Sequence, residues 1–378
     1  MVGFAAMKWT FDAETELLRL CSRTPVDEQN TQEICRTIDR GLDWDRFVRI
    51  GSGHGLVPLL YQRLAALKTT SVPRETLATL RAQADAMRLR SVVMTGKLLG
   101  MLRELQNAGI VAVPYKGPAL AAFLYGDVGL RYYADLDLLV HPRDARNARN
   151  VLLKHGLVIE HGIRGDMPPI WTYLHYVTKL KDLGGKIEVE LHWRLKPRFW
   201  PLSDLPAPAW TRLGKLALNG IDVPWLAPQD LLYVLCLHGS AHAWESLKWI
   251  VDVADLLRAE PGLDVARLMR EVRPSGARRM IALGAFLAHD LMGTELRPDV
   301  LNAIRADPMV AVLVTDVYRN LLTEHRFRND NLPILRFLAK ATDRMDGKLH
   351  FLAMMPAYFL LHHIVRLRVA ASRLFISG

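Results

Sequence analysis

Apolar positions recur at threes and fours from about Ala13 to Ala108, in DWDRFVRIGSGHGLVPLLYQRLAAL and again in LRAQADAMRLRSVVMTGKLLGMLRELQNAG. This period predicts amphipathic helices on either side of a break at Pro73. Gly109 stands just past a last helical turn, and the period then changes. IVAVPYK is short and β-branched, as a buried strand is. Proline suits the first turn of a helix, so PALAAFLYG reads as a short helix entered directly from that strand. YYADLDLLV, Tyr132 to Val140, is a second strand, and HPRDARNARNVLLKHG is an amphipathic helix closed by Gly156. WTYLHYVTKL and KIEVELHWRL are two further strands, joined by the turn-rich KDLGG. Residues 109–195 thus run strand, helix, strand, helix, strand, strand, the order of a small mixed α/β unit.

Pro197, Pro201, Pro206, Pro208, Pro224 and Pro228 then mark a connector between units. Beyond Asp230 the helical period returns and predicts a bundle. The chain is therefore expected to be α+β: an N-terminal helical region over 1–95, an α/β core with a mixed sheet over 96–225, and a C-terminal helical domain over 226–378.

Composition narrows the class. The 378 residues are 50% hydrophobic and 23% charged, which excludes a disordered or collagen-like chain and is enough for two or three compact units. Lys and Arg number 49 against 39 Asp and Glu, a formal charge of +10 that suits nucleotides, nucleic acid or anionic lipid as partners. Cys21, Cys35 and Cys236 show no CxxC spacing, so neither zinc nor a disulfide framework is indicated, and a reducing cytoplasm is the expected location. The N-terminus carries Asp12 and Glu14 and does not read as a signal peptide. The longest uncharged stretch, Phe351 to Val365, contains Pro356 and falls short of the roughly 18–20 residues that span a bilayer. The segment FLAMMPAYFLLHHIVRLRVAASRLF reads as a kinked bundle helix in preference to an interfacial one. RLRVAASR, and RPSGARR near Arg273, read as solvated basic faces in preference to phosphate contacts.

Candidate chemistry gathers in Lys116 to Val140. Side chains alternate along a strand, so Asp135 and Asp137 share one face inside an otherwise apolar run. Two like charges there repel unless a cation separates them, and a hard divalent ion with oxygen ligands is the natural neutraliser. On KIEVELHWRL the same alternation puts Glu188, Glu190 and His192 on one face. If the two strands are neighbours, a three-carboxylate cluster forms, the layout of two-metal phosphoryl or nucleotidyl transfer. Gly117 lets a phosphate approach the backbone, and the helix starting at Pro118 points its positive end at an anion. Lys116 and Arg131 add fixed positive charge. His192 is placed to accept a proton or to orient a ligand.

KGPALAAFLYGDVGLRYYADLDLLV resembles the signature of the nucleotidyltransferase (polymerase beta-like) superfamily, and more narrowly its bacterial uncharacterised nucleotidyltransferase family. HGLVPLLYQRL, VELHWRL and LHGSAHAWESLKWIVDVADLL are similar to further blocks of that family, so the likeness covers most of residues 40–260. The resemblance implies a catalytic α/β core flanked by helices, with Mg²⁺ (Mn²⁺ as the alternative) at a two-metal site on Asp135, Asp137 and a third carboxylate, Glu190. Glu188 is the other choice for that third ligand. It also implies an NTP donor, ATP first, and transfer of a nucleoside monophosphate to a hydroxyl or phosphate of a peptide, small molecule or sugar. Lys116, Gly117 and Arg131 would hold the nucleotide. Two departures stand out: members commonly carry Asp where this chain has Glu190, and Gly117-Pro118 replaces the usual Gly-Ser or Gly-Gly turn.

His238, His242, Glu245, Trp249 and Asp252 fall four, three, four and three apart, which on one helix makes a polar stripe that walls the pocket or faces solvent. Trp193, Trp200 and Trp210 read as packing anchors in preference to base-stacking platforms. The other function classes in play are a non-catalytic nucleotide-binding scaffold, favoured by Gly117-Pro118, and an RNA-modifying enzyme, suggested by net charge.

Overall fold

The computed structural model describes residues 10–24, 27–67, 71–161, 172–173, 175–197, 205–322 and 331–343. Helices α1 (Ala13–Cys21), α2 (Glu28–Asp39), α3 (Trp44–His54), α4 (Val57–Ala66) and α5 (Arg74–Asn107) open the chain. Asp12, Asp27 and Asp43 cap α1, α2 and α3 by accepting backbone N–H bonds in the first turn. The single 34-residue helix α5 runs through the 95/96 boundary drawn from sequence.

The core follows: β1 (Ala112–Pro114), α6 (Gly117–Tyr125), β2 (Asp135–Val140), α7 (Ala145–Lys154), β3 (Leu157–His161), β4 (Val177–Asp182) and β5 (Glu188–His192). Five strands form one mixed sheet in the order β1-β2-β5-β4-β3, in which only β2 and β5 pair in parallel. One sheet face carries Leu136, Leu138, Val140, Val189 and Leu191, and it buries them against Met94, Leu98 and Leu102 of α5 and Ala148 and Leu152 of α7. Each large aliphatic side chain so buried contributes about 1.5–3 kcal/mol before entropy costs. The other face carries the acids.

Three local differences from the sequence reading have physical causes. Strand β2 begins at Asp135, three residues later than Tyr132, because Tyr132 and Tyr133 lie in the loop that leads into the sheet. Strand β3 was not expected, although Val158 and Ile159 directly after Gly156 are the β-branched signal for it. Within the proline-rich connector, β6 (Gly214–Leu218) and β7 (Ile221–Trp225) pair as a hairpin. Its turn is Asn219-Gly220, with Asn219 at φ 49°, a strong hairpin signal that the surrounding prolines obscured. Of WTYLHYVTKL, the strand is Val177–Asp182, while Trp171 and Leu174 lie outside the described residues.

The bundle comprises α8 (Pro228–Ala241), α9 (Leu247–Ala259), α10 (Val265–Glu271), α11 (Arg278–Met292), α12 (Pro298–Arg305), α13 (Pro308–Leu322) and α14 (Asn331–Ala341). The N-terminal helices and this bundle share one hydrophobic core, in which Leu17, Phe47 and Leu60 belong with Leu231, Trp244 and Tyr318. The architecture is thus α+β, a small mixed sheet held by helices from both ends of the chain. Among the described residues, no helix is long and apolar enough to cross a membrane. The segment from Phe351 onward, including RLRVAASR, lies outside the described residues, as does Trp200. Arg278 and Arg279 both pair with Asp307. Trp193 is buried and donates its indole N–H to the carbonyls of Thr172 and His175, a packing role, while half-buried Trp210 meets His141 edge-on.

Candidate active site

Parallel pairing of β2 with β5 places Asp137 opposite Glu190 and Asp135 opposite Glu188. Ligand atoms of Asp137, Glu190 and His192 all lie within 4.8 Å of one another. Asp135 lines the same cavity as this trio, and Glu188 is exposed at the strand's start. The cavity has a volume of about 420 Å³ and is closed on its far side by residues of α8 and α9.

The carboxylates are neutralised from within the chain. Lys116 Nζ lies 2.9 Å from Asp137 Oδ1, Lys179 Nζ lies 2.5 Å from Glu190 Oε1, and His192 Nε2 lies 3.1 Å from Glu190 Oε2 and 3.4 Å from Asp137 Oδ1. The Tyr115 hydroxyl donates to Asp137 Oδ1 at 3.3 Å. Burial favours a neutral Asp137, yet Lys116 and His192 outweigh it and hold the carboxyl well below the usual range. Burial is likewise outweighed at Glu190, where hydrogen bonding to His192 brings the carboxyl down to about 2. Asp135 moves the other way, raised by burial and by the charge on Asp137. For His192, burial opposes the charged ring, but its hydrogen bonds to Asp137 and Glu190 prevail and raise its pKa.

These groups pass a simple test of fit to a hard divalent cation. They offer clustered carboxylate oxygens in a site where three cationic groups now balance the charge, and His192 keeps a buried Nδ1 with no hydrogen-bond partner among the described residues.

Gly117 is the first residue of α6 and has φ +59°, where a side chain would be strained. Pro118 occupies the first turn of that helix and has no N–H to give.

Arg131, expected to steady the site or the triphosphate, lines the cavity and is itself held by a carboxylate. Its Nε and Nη2 donate to the two carboxylate oxygens of Asp252 at 2.7 and 2.8 Å, and both side chains are buried. The pair ties the loop before β2 to α9. Sequence reasoning missed Asp252 as this partner because 121 residues separate the two.

The condition for one polar stripe from His238 to Asp252, a single helix, is not met, because the segment forms two helices. Between them Ala243 and Trp244 adopt positive φ, and the fully buried Trp244 ring packs so tightly over Gly239 that a Cβ there would sit 2.5 Å from it. Ser246, the N-cap residue of α9, was the available signal. His238, His242 and Trp249 nevertheless converge on the cavity, with ring centroids 4.9, 5.2 and 5.1 Å apart. His238 Nδ1 lies 3.5 Å from Lys116 Nζ. Burial, helped by Lys116, keeps His238 well below its ordinary value, and burial helped by Lys196 brings His242 down to about 4.

His242 therefore stays neutral in the folded protein while an unfolded histidine takes up a proton below about pH 6.5. Its contribution is nil above that pH and becomes a growing penalty as the pH falls from 6.5 toward 4. Over that interval a single such group steepens the loss of stability by about 1.4 kcal/mol per pH unit. His242→Gln is expected to flatten the pH dependence of the urea midpoint between pH 6.5 and 4; an unchanged slope would contradict the assignment.

A mixed sheet with an acid-lined face, opened toward a helix N-terminus, sets this chain within the nucleotidyltransferase class of enzymes once its relatives are considered. Residues 40–293, more than half of the chain, match the family described as uncharacterised nucleotidyltransferase, and the chain belongs to that family. Among curated proteins, none matches. Of solved structures, the antibiotic-resistance factor ANT(2'')-Ia is similar at 12% identity, covering 53% of this chain and 99% of that one with a TM-score of 0.35. An antigenic nucleotidyltransferase-like protein from Paracoccidioides brasiliensis is similar at 19% identity, covering 59% of this chain and 94% of that one with a TM-score of 0.31.

Proposed function

We propose that this enzyme is a Mg²⁺-dependent nucleotidyltransferase, with Mn²⁺ as the alternative ion, that moves a nucleoside monophosphate from an NTP to an acceptor hydroxyl or phosphate. ATP is the expected donor, and the acceptor is a peptide, small molecule or sugar. The observation that carries this reading is the registered pair Asp137 and Glu190, clustered with His192 on a cavity that also holds Asp135 and the first residue of α6.

Asp135, Asp137 and Glu190 would hold the ions; Glu188, exposed outside the cluster, is the weaker third ligand. Bound Mg²⁺ supplies charge neutralisation of the triphosphate and a more acidic acceptor hydroxyl. The chain's own groups do the rest. Gly117 and the N-terminus of α6 receive phosphate, with Lys116 beside them. His192 orients Glu190 and holds a proton at Nε2. The acceptor oxygen bonds to the α-phosphorus, its proton passes toward Glu190, and the bond to the β-phosphate breaks to release pyrophosphate. His238, His242 and Trp249 wall the side of the cavity away from the sheet. Arg131 serves this site through Asp252.

The location proposed for this chemistry is the cytoplasm, in keeping with Cys21, Cys35 and Cys236 as free thiols.

Calorimetric titration of the four NTPs with Mg²⁺ tests the donor. Wild type is expected to bind at least one NTP only with Mg²⁺ present, and a folded Asp135→Asn, Asp137→Asn double variant to lose that binding. Binding of equal strength in the double variant would overturn the reading.

A further inference from the structure

Lys248, in the first turn of α9, is a cation that the acidic face does not account for. It lines the cavity with Gly117 and Asp135. Its Nζ donates to the carbonyl oxygen of Tyr132 at 3.3 Å and lies 5.3 Å from the centre of the Tyr132 ring. Three other cavity cations have carboxylate partners, Lys116 with Asp137, Lys179 with Glu190 and Arg131 with Asp252, and Lys196 lines the cavity beside them. Among the described residues, no carboxylate forms an ion pair with Lys248. One carbonyl and one ring face offer this half-buried ammonium group only partial negative charge in direct contact. Burial, together with the nearby Arg131, pushes Lys248 down to about 8, although the charges of Asp252 and Asp135 pull the other way without pairing with it directly.

The position of Lys248 is fixed from three directions. His54 of α3 accepts the backbone N–H of Leu247 at its Nδ1, 3.2 Å away, and its carbonyl accepts the Ser246 hydroxyl at 3.0 Å, so the start of α9 is pinned to the end of α3. Gly55 follows with φ +71°, and a Cβ there would come within 3.3 Å of both Lys248 Cδ and the Tyr132 ring. A side chain there would have the lysine stem and the Tyr132 ring give by a few tenths of an ångström. One helical turn beyond Lys248, on the same face of α9, Asp252 grips Arg131. Those contacts hold a long, flexible side chain at one place beside the N-terminus of α6, and packing of the apolar core alone does not require a charge there.

We propose that Lys248 is a phosphate ligand for the donor nucleotide, taking the phosphates that leave as pyrophosphate, so that the triphosphate is held between the N-terminus of α6 and the helical bundle. This deepens the donor assignment made above and rests on it. Arg131 is then a positioning residue, acting on the nucleotide through Asp252 and α9. An anion supplies the direct ion-pair partner that Lys248 lacks among the described residues, and a charge-assisted bond of this kind changes affinity by about 10- to 100-fold.

The experiment titrates inorganic tripolyphosphate, ATP, orthophosphate and adenosine into wild type, Lys248→Met and Lys248→Arg by calorimetry with Mg²⁺, with thermal unfolding as the check of fold. Lys248→Met is expected to weaken tripolyphosphate and ATP by about 10- to 100-fold while adenosine binding stays within about twofold, and Lys248→Arg is expected to recover most of the loss. Unchanged tripolyphosphate affinity in Lys248→Met, or an equal loss for adenosine, overturns the proposal. So does a Lys248-dependent orthophosphate site that does not compete with ATP, because it would place an acceptor phosphate there. If wild type binds tripolyphosphate through Lys248 but none of the four NTPs, the anion site stands and the donor assignment falls.

Discussion

Asp137→Asn is expected to lower turnover by about a thousandfold or more, roughly 4 kcal/mol of transition-state stabilisation, while the protein remains folded. Asp137 is the most buried of the candidate acids and the one that Lys116, His192 and Tyr115 all address. Asparagine keeps the shape and an oxygen that can accept from Tyr115, so the sheet loses little. What it removes is the formal charge that a divalent cation and a developing transition state both require. Turnover by the single variant and by wild type, compared alongside their thermal midpoints, separates the two effects. Activity within tenfold of wild type would contradict a role for Asp137 at the reacting centre. Collapse of the fold would instead make it a structural acid.

The second large effect concerns stability. Arg131 and Asp252 form a two-bonded ion pair whose side chains are 5% and 2% exposed, which makes solvent screening negligible. Asp252→Ala leaves a buried guanidinium with nothing to neutralise it, and the unfolding free energy is expected to fall by about 3–5 kcal/mol. Replacing both partners by apolar groups, as in Arg131→Met with Asp252→Leu, removes the stranded charge and is expected to recover most of that loss. Urea unfolding of Asp252→Ala, and of Arg131→Met and Asp252→Leu singly and together, measures the loss and closes the cycle. A single-variant loss below about 1 kcal/mol would mean that the pair is no more than a surface contact in energy. The double variant, though stable, is also expected to bind the donor more weakly, because α9 carries both Asp252 and Lys248.

The acids were legible in the sequence because a strand has a period of two. Asp135, Asp137 and Glu190 could be put on strand faces by counting alone, and the helix-to-strand change near Gly109 located the core. That β2 and β5 are adjacent, parallel and registered with Asp137 opposite Glu190 could be posed only as a condition, since register is a tertiary fact. The same limit hid Lys179, which reaches Glu190 from β4, and Tyr115, which reaches Asp137 from the end of β1. Arg131 carried a visible charge but an invisible partner: nothing local announces an aspartate 121 residues away. Lys248 was passed over because one lysine on an amphipathic helix is ordinarily a solvated residue. Where local chemistry was strong, as at Asn219-Gly220 and Ser246, the signal was present and was masked by neighbouring prolines or by an apparently continuous helical spacing.

The three-part division drawn from sequence also meets the shared core at this level. Hydrophobic period marks helices without saying which of them pack together, and here Phe47 and Leu60 from one end of the chain belong with Trp244 and Tyr318 from the other. That shared core brings His54 and Gly55 to the start of α9 and so shapes a cavity whose chemistry lies mostly on the sheet.

Nucleotidyl transfer itself is tested most directly by following two labels. ATP, and then the other NTPs, labelled at the α- or the γ-phosphate would be incubated with wild type, Mg²⁺ and a cellular extract supplying acceptors, with Asp137→Asn as the control. The expected result is that the α-label appears in a new product and the γ-label in pyrophosphate, both dependent on Asp137. Transfer of the γ-label to the acceptor, or formation of the α-labelled product at an undiminished rate by Asp137→Asn, would contradict nucleotidyl transfer at this site.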